Sequence, residues 1–299
     1  MTAVDVAGQG VEQDSRRLLE SSQTLSYDPT TEIDWESPLP DDQYGLNPKW
    51  STLYGTPLWD ELTEQQRITL TRHEVGSIMS TGIWFEMILQ QMILRDQYVK
   101  DPANSEFQFA LTEIADECRH SIMFARICQK LELPAYLPPK NVIEFARAFK
   151  SLAGGEVAYA GALVAEEVLD VMQRDWMRGE NVLDVVRTSS KIHVVEESRH
   201  MKFAREETRA HMRGVGTAQR HASAMLVSAV AYVIVSNLVS PQVYKAVGIE
   251  PRRGLAAARA NEHRKSMLRN ACAGLMEFLD EAGLLTRPAV AVYKRVHMI

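Results

Sequence analysis

From about residue 63 onward, apolar residues recur at three- and four-residue intervals, and strand-like alternation is scarce. The pattern predicts an all-α fold. A capping box, Thr63-x-x-Gln66, is expected to open a short helix. A long helix then runs from roughly Glu74 to Val99, with Trp84, Phe85, Met87, Ile88, Met92 and Ile93 surrounding Glu86. Asp101-Pro102 closes it, and a second long helix extends from about Ala103 to Leu131. The segment LPAYLPPKN, residues 133–141, reads as a connection, because its three prolines forbid a regular helix interior. Helical periodicity resumes near Val142, is punctuated by Gly154-Gly155, and continues from Val157 to about Met177. Asn181 is the expected N-cap of a further helix reaching about Met212. Two more are expected, at about 217–240 and 254–282, separated by Pro241 and Pro251. Residues 1–57 are polar, carry Pro29, Pro38, Pro40, Pro48 and Pro57, and have no sustained period. They read as a mobile tail followed by an irregular arm laid on one helical domain, residues 58–299.

Composition narrows the class. At 299 residues and 45% hydrophobic, the chain can bury a large core. A net charge of −6 and the absence of a Lys/Arg block argue against a nucleic-acid surface. Cys118, Cys128 and Cys272 have no CxxC spacing, which reads as a reducing, cytoplasmic setting. No secretory signal is visible in the polar, acidic N-terminus. Residues 222–239 are uncharged and about long enough to span a bilayer. They include Ser223, Ser228, Ser236 and Asn237 and lack strong cationic anchoring at their C-terminal end. A buried helix is therefore expected there rather than a membrane span.

The informative chemistry lies on the long helices. Glu-x-x-His occurs twice, as Glu117/His120 and Glu197/His200, and the copies are 80 residues apart. Each has a glutamate 31 residues upstream, Glu86 and Glu166, also 80 apart. Residues i and i+3 share a helix face, so each motif presents an oxygen and a nitrogen to one point. One glutamate from each of two helices, with one Glu-x-x-His from each of two others, is how helical bundles hold a pair of iron or manganese ions. Any single Glu-x-x-His is an ordinary helix-surface pair; six residues in one register are not. Glu167 adjoins Glu166 but points about 100° away, and the register selects Glu166.

The motifs extend to Asp116-Glu117-Cys118-Arg119-His120 and Glu196-Glu197-Ser198-Arg199-His200. Asp116 and Glu196 lie four residues before each histidine, placed to accept the second ring N–H, and Arg119 and Arg199 are placed to neutralise the surplus acid. The alternative is a surface ion pair between each acid and the Arg three residues on. His193 lies four residues before Glu197 on the same stripe, where the first half has Glu113, and metal ligation is expected of it. Mixed imidazole and carboxylate ligation suits iron.

The paired (D/E)-E-x-R-H motifs resemble those of ferritin-like di-iron oxygenases and desaturases. With the additional histidine before the second motif, the pattern is similar to the p-aminobenzoate N-oxygenase (arylamine oxygenase) family over roughly residues 60–280. The resemblance implies a ferritin-like four-helix bundle with additional C-terminal helices. It implies Glu86, Glu117, His120, Glu166, His193, Glu197 and His200 as ligands of two iron ions. It further implies a cytoplasmic homodimer that activates O2 through a peroxo state to oxidise an amine nitrogen. Electrons would come from an external reductase or ferredoxin-type donor. Aminobenzoate enzymes hold the substrate carboxylate with basic or phenolic groups near the first metal helix. Here the turns before Glu86 offer Met79, Thr81 and Gly82, with Phe85 adjacent, and no arginine. These four residues are the candidate substrate pocket, and a more apolar substrate is at least as well suited to it as an aminobenzoic acid. Hydroxylation or desaturation of a C–H bond is the alternative enzymatic reading. A ferroxidase or storage bundle suits a shorter chain. A radical-generating subunit would need a tyrosine where Phe124 stands.

Overall fold

The computed structural model describes residues 3–299, with side chains from Val11 onward. It is all-α: among the described residues the sole β-type pairing is one isolated bridge between Tyr44 and Val182. In chain order the helices are α1 (Ala3–Thr24), α2 (Pro29–Glu32), α3 (Pro57–Glu61), α4 (Glu64–Asp96), α5 (Ser105–Lys130), α6 (Lys140–Leu152), α7 (Gly155–Trp176), α8 (Asp184–Met212), α9 (Thr217–Asn237), α10 (Pro251–Ala260), α11 (Glu262–Glu281) and α12 (Arg287–Arg295). Helices α4, α5, α7 and α8 form the bundle, with α4 folding back along α5 and α7 along α8.

Several boundaries differ from the sequence expectation, each for a local reason. The Thr63/Gln66 capping box is present, with Gln66 N donating to Thr63 Oγ1 at 3.3 Å and Thr63 N to Gln66 Oε1 at 3.0 Å. It opens α4 itself rather than a short preceding helix. At 33 residues, α4 spans about 50 Å and carries Glu86 into the middle of the bundle. Asn181 is not an N-cap: its carbonyl accepts from Tyr44 N, and α8 begins after Leu183. The helix expected over 254–282 is two, because Asn261 leaves helical geometry and caps α11 by accepting from Arg264 N. Between α6 and α7, Gly155 has φ +51°, and a Cβ there would press on the His211 ring. Only glycine suits that break.

The largest correction concerns the N-terminus. Residues 3–24 form a helix laid on α5 and α8, not a tail. Residues 1–2 of the expected tail lie outside the described residues. From Val11 on, its inward positions are Val11, Ser15, Leu18 and Ser22, a correct helical stripe whose apolar signal two serines dilute. Its Glu12 carboxylate accepts from the first amides of α5, Ser105 N at 2.8 Å and Glu106 N at 3.3 Å. An anion there satisfies orphan donors and the positive end of the helix dipole. The arm that follows is irregular, as expected, but packed. Gly45 lies so close to α4 that a Cβ would overlap Arg72 Cα. Leu53, Leu58, Trp59 and Leu62 build a second apolar cluster with Val243 and Tyr244.

Helix α9 is the apolar segment, long and apolar enough by composition to cross a membrane. It buries Ala224, Val227, Ala231 and Val235 against α7 and α12, while Met225, Leu226 and Tyr232 remain exposed. The expectation of a buried helix holds for one face only.

Candidate metal centre

Four helices deliver four trios of ligand-type atoms, each trio mutually within 4.8 Å: Glu86/His120/His193, Glu113/Glu117/His200, Glu117/His120/Glu197 and Glu166/His193/Glu197. All seven residues named from the sequence fall in this one cluster, and all are buried. The trios overlap through Glu117 and Glu197. Glu117 offers Oε2 to His120 Nδ1 at 3.5 Å and Oε1 to His200 Nδ1 at 3.4 Å. Glu197 Oε1 lies 3.3 Å from His120 Nδ1 and 3.0 Å from His200 Nδ1. His193 Nε2 stands 3.8 Å from both Glu86 and Glu197. Glu167 turns away and forms a two-pronged pair with Arg205, at 2.8 and 2.6 Å.

The outer partners of the histidines are crossed between helices. His120 on α5 meets Glu196 of α8, Nε2 to Oε2 at 2.7 Å; His200 on α8 meets Asp116 of α5, Nε2 to Oδ2 at 3.2 Å. The acid on a histidine's own helix is therefore not its partner. With Nε2 engaged by an outer carboxylate, Nδ1 is the ring nitrogen of each histidine that faces the cluster. Arg119 bonds Asp116 and lies 3.9 Å from Glu196, while Arg199 stands 3.6 Å from Asp116 and donates to the Leu25 carbonyl at 3.0 Å. Tyr27 N donates to Glu196 at 3.0 Å, so the end of the N-terminal arm completes this shell.

Sequence reasoning missed three contributors. Glu113 joins Glu117 and His200; its position one turn before Glu117, opposite His193 in the repeat, was the available signal. Ser121 donates to Glu86 Oε2. Phe124 lays its ring 5.1 Å from His193. Of the pocket candidates, Met79 and Phe85 are core residues, and Gly82 faces the Phe124 ring, 3.7 Å from where a Cβ would stand. Thr81 Oγ1 bonds back to the Ser77 carbonyl at 3.0 Å.

Burial dominates the electrostatics. It lifts Glu86, Glu113 and Glu166 above the ordinary carboxylate range, with Glu197 and Glu117 adding to the shift of Glu166. Burial also acts to raise Glu197, but His200 and His193 prevail and hold it well below that range. Burial opposes charge on His120 and His200 as well, yet surrounding carboxylates hold both imidazoles well above their usual value. In the metal-free chain burial therefore favours the protonated forms of Glu86, Glu113 and Glu166, while the histidines favour the ionised form of Glu197, since uncompensated buried charges cost several kcal/mol each. The donor set fits a metal pair. Both oxygens of Glu117, Glu166 Oε2, Glu197 Oε2 and His120 Nδ1 are buried without a hydrogen-bond partner. Such orphans are rare in a folded interior unless something else satisfies them.

The crossed pairing has a direct test. Asp116→Ala is expected to lower the His200 pKa more than that of His120, and Glu196→Ala to do the reverse, in imidazole NMR titrations of metal-free protein. Equal shifts at both rings would contradict it.

Bundle and cluster together define a helical protein with a buried carboxylate–histidine cluster whose donors suit a metal ion. Within that class, residues 8–283 match the p-aminobenzoate N-oxygenase AurF family, and the chain belongs to it. The chain is also 26% identical over 211 residues to uncharacterized proteins of Mycobacterium bovis and of two Mycobacterium tuberculosis strains. The alignment takes in 68% of this chain and spans 62% of the length of those relatives.

Proposed function

We propose that this chain is an O2-dependent non-haem di-iron oxygenase that oxidises the nitrogen of a small amine, an arylamine in the first instance. The observation carrying the proposal is the set of overlapping trios joined through Glu117 and Glu197, with the histidines oriented by crossed outer carboxylates. Glu117 and Glu197 lie between imidazoles and would help to hold both ions. Glu86 and Glu166 would add carboxylate oxygens, and His120, His193 and His200 imidazole nitrogens. Two bound irons, reduced by an external reductase or ferredoxin-type donor, would supply reductive activation of O2.

The chain's own residues do the rest. Asp116 and Glu196 hold the Nε2 protons of His200 and His120, and Arg119 and Arg199 balance those acids. Phe124 lies beside His193 with Gly82 facing its ring, and with the buried Met79 and Phe85 of the same helix as Gly82 this apolar wall would exclude water from the reacting side. That wall carries no cation to seat a carboxylate, which favours a neutral amine and also supports a second reading, oxidation of a C–H bond in an apolar substrate. Three free cysteines accord with a cytoplasmic setting, and the exposed apolar face of α9 with a homodimer.

Iron-loaded protein supplied with reductant, O2 and a panel of aryl and alkyl amines should yield N-oxidised products. Hydroxylated or unsaturated products alone would select the second reading, and uptake of many irons per chain would replace both with storage. His193→Ala is expected to keep the fold and lower iron occupancy to fewer than two per chain or shorten the life of the O2 adduct. Metal analysis and stopped-flow absorbance check this; wild-type behaviour would return His193 to a packing role.

A further inference from the structure

Away from the cluster, α9, α10, α11 and the C-terminal segment enclose a cavity of about 310 Å³, with the 3₁₀ turn at Pro241–Val247 contributing Tyr244. No residue of α4, α5, α7 or α8 lines it. Its walls present Arg259, Arg264, Lys265, Arg295 and His297, and no carboxylate. Lys265 alone among these has an ion pair within the described residues, with Glu262 at 2.8 Å, and that glutamate is 79% exposed. Water screens such a pair, so it offsets little of the positive field. Arg295 spreads over the Tyr232 ring, 5.6 Å from its centre. Arg264 is half-buried. Glu74, the carboxylate that acts on it from within the fold, accepts from Thr52 N at 2.8 Å through one oxygen, and Thr52 is bonded in turn to the Tyr244 hydroxyl at 2.8 Å.

Four permanent cations on one concavity, in a chain of net charge −6, make a local positive field that favours an anion. One carboxylate would occupy one guanidinium. A phosphoryl group, with up to two charges and three acceptor oxygens, matches several forked donors at once. The remaining lining, Tyr232, Val235, Leu255 and Leu268, suits an apolar or aromatic body, and the volume is near the lower end of small-molecule sites, about 300 Å³. Arg295 and His297 lie beyond the family-matched residues 8–283, so this chain's own C-terminus completes the site.

We propose that this cavity binds a small phosphate ester bearing a ring, independently of the metal cluster. Calorimetric titration of the purified full chain with phenyl phosphate, adenosine diphosphate, inorganic phosphate and benzoate tests this. An aryl or nucleoside phosphate is expected to bind once per chain, more tightly than inorganic phosphate, with affinity falling as salt rises. Benzoate is expected to bind at least about tenfold more weakly, having a single charge. Arg259→Gln and Arg295→Gln, both at exposed positions, should each weaken the phosphate ester about tenfold, the scale of one lost charge-assisted hydrogen bond, and leave metal content unchanged. Absence of binding by every phosphate at millimolar concentration would overturn the proposal. So would unaltered affinity in the doubly substituted chain, or benzoate binding as tightly as phenyl phosphate.

Discussion

Glu197→Ala is expected to abolish stable binding of two ions per chain. Glu197 Oε1 stands within 3.3 Å of two imidazole nitrogens and its carboxylate belongs to two of the four trios. Removing it strips a proposed bridge from both metal positions at once. Loss of an outer carboxylate typically costs 10–100-fold in metal affinity, so loss of a bridging ligand should exceed about a hundredfold. Glu117→Ala should behave alike, because its two oxygens address the two histidines separately. Metal analysis after gel filtration, with circular dichroism as a fold control, checks the result. Two ions retained per folded chain would show that these glutamates do not bridge.

Metal affinity should also climb steeply with pH. Burial raises the pKa of Glu86, Glu113 and Glu166 above the usual carboxylate range, and carboxylate neighbours raise those of His120 and His200 above the usual imidazole value. Ligation requires the deprotonated forms, so metal uptake expels these protons. The sign follows: raised pKa values favour the metal-free form as pH falls and release it as pH rises. Each proton displaced contributes about tenfold in affinity per pH unit, and two contribute about a hundredfold. Chelator competition at several pH values, with proton release followed in weak buffer, measures both slope and stoichiometry. An affinity flat across the range would remove these groups from the ligand set.

Much of the centre was legible because its geometry imposes a repeat. A cluster shared by two helical hairpins needs a donor at one interval on each, and the 80-residue register of Glu86, Glu117 and His120 with Glu166, Glu197 and His200 reflects that need along the chain. Relations between helices left no such mark. An acid four residues before a histidine shares its face, which suggests an intrahelical partner. Once α5 and α8 lie side by side, the nearer imidazole for Asp116 is His200 and for Glu196 is His120. Helix α1 escaped notice because serines occupy half of the inward positions described, and α12 because it is only nine residues long. The apolar stripe of α4 could be read, but whether Gly82 and Phe85 front a substrate depends on what Phe124 leaves open.

The Tyr27 amide and the Leu25 carbonyl tie the first thirty residues to Glu196 and Arg199, one bond removed from the imidazoles. The leading segment is thus a hasp on the buried carboxylate–histidine cluster. A nick or truncation near residue 27 would unfasten it, admit bulk solvent to Glu196, and be felt at His120 through three atoms of carboxylate rather than through any change in the bundle itself.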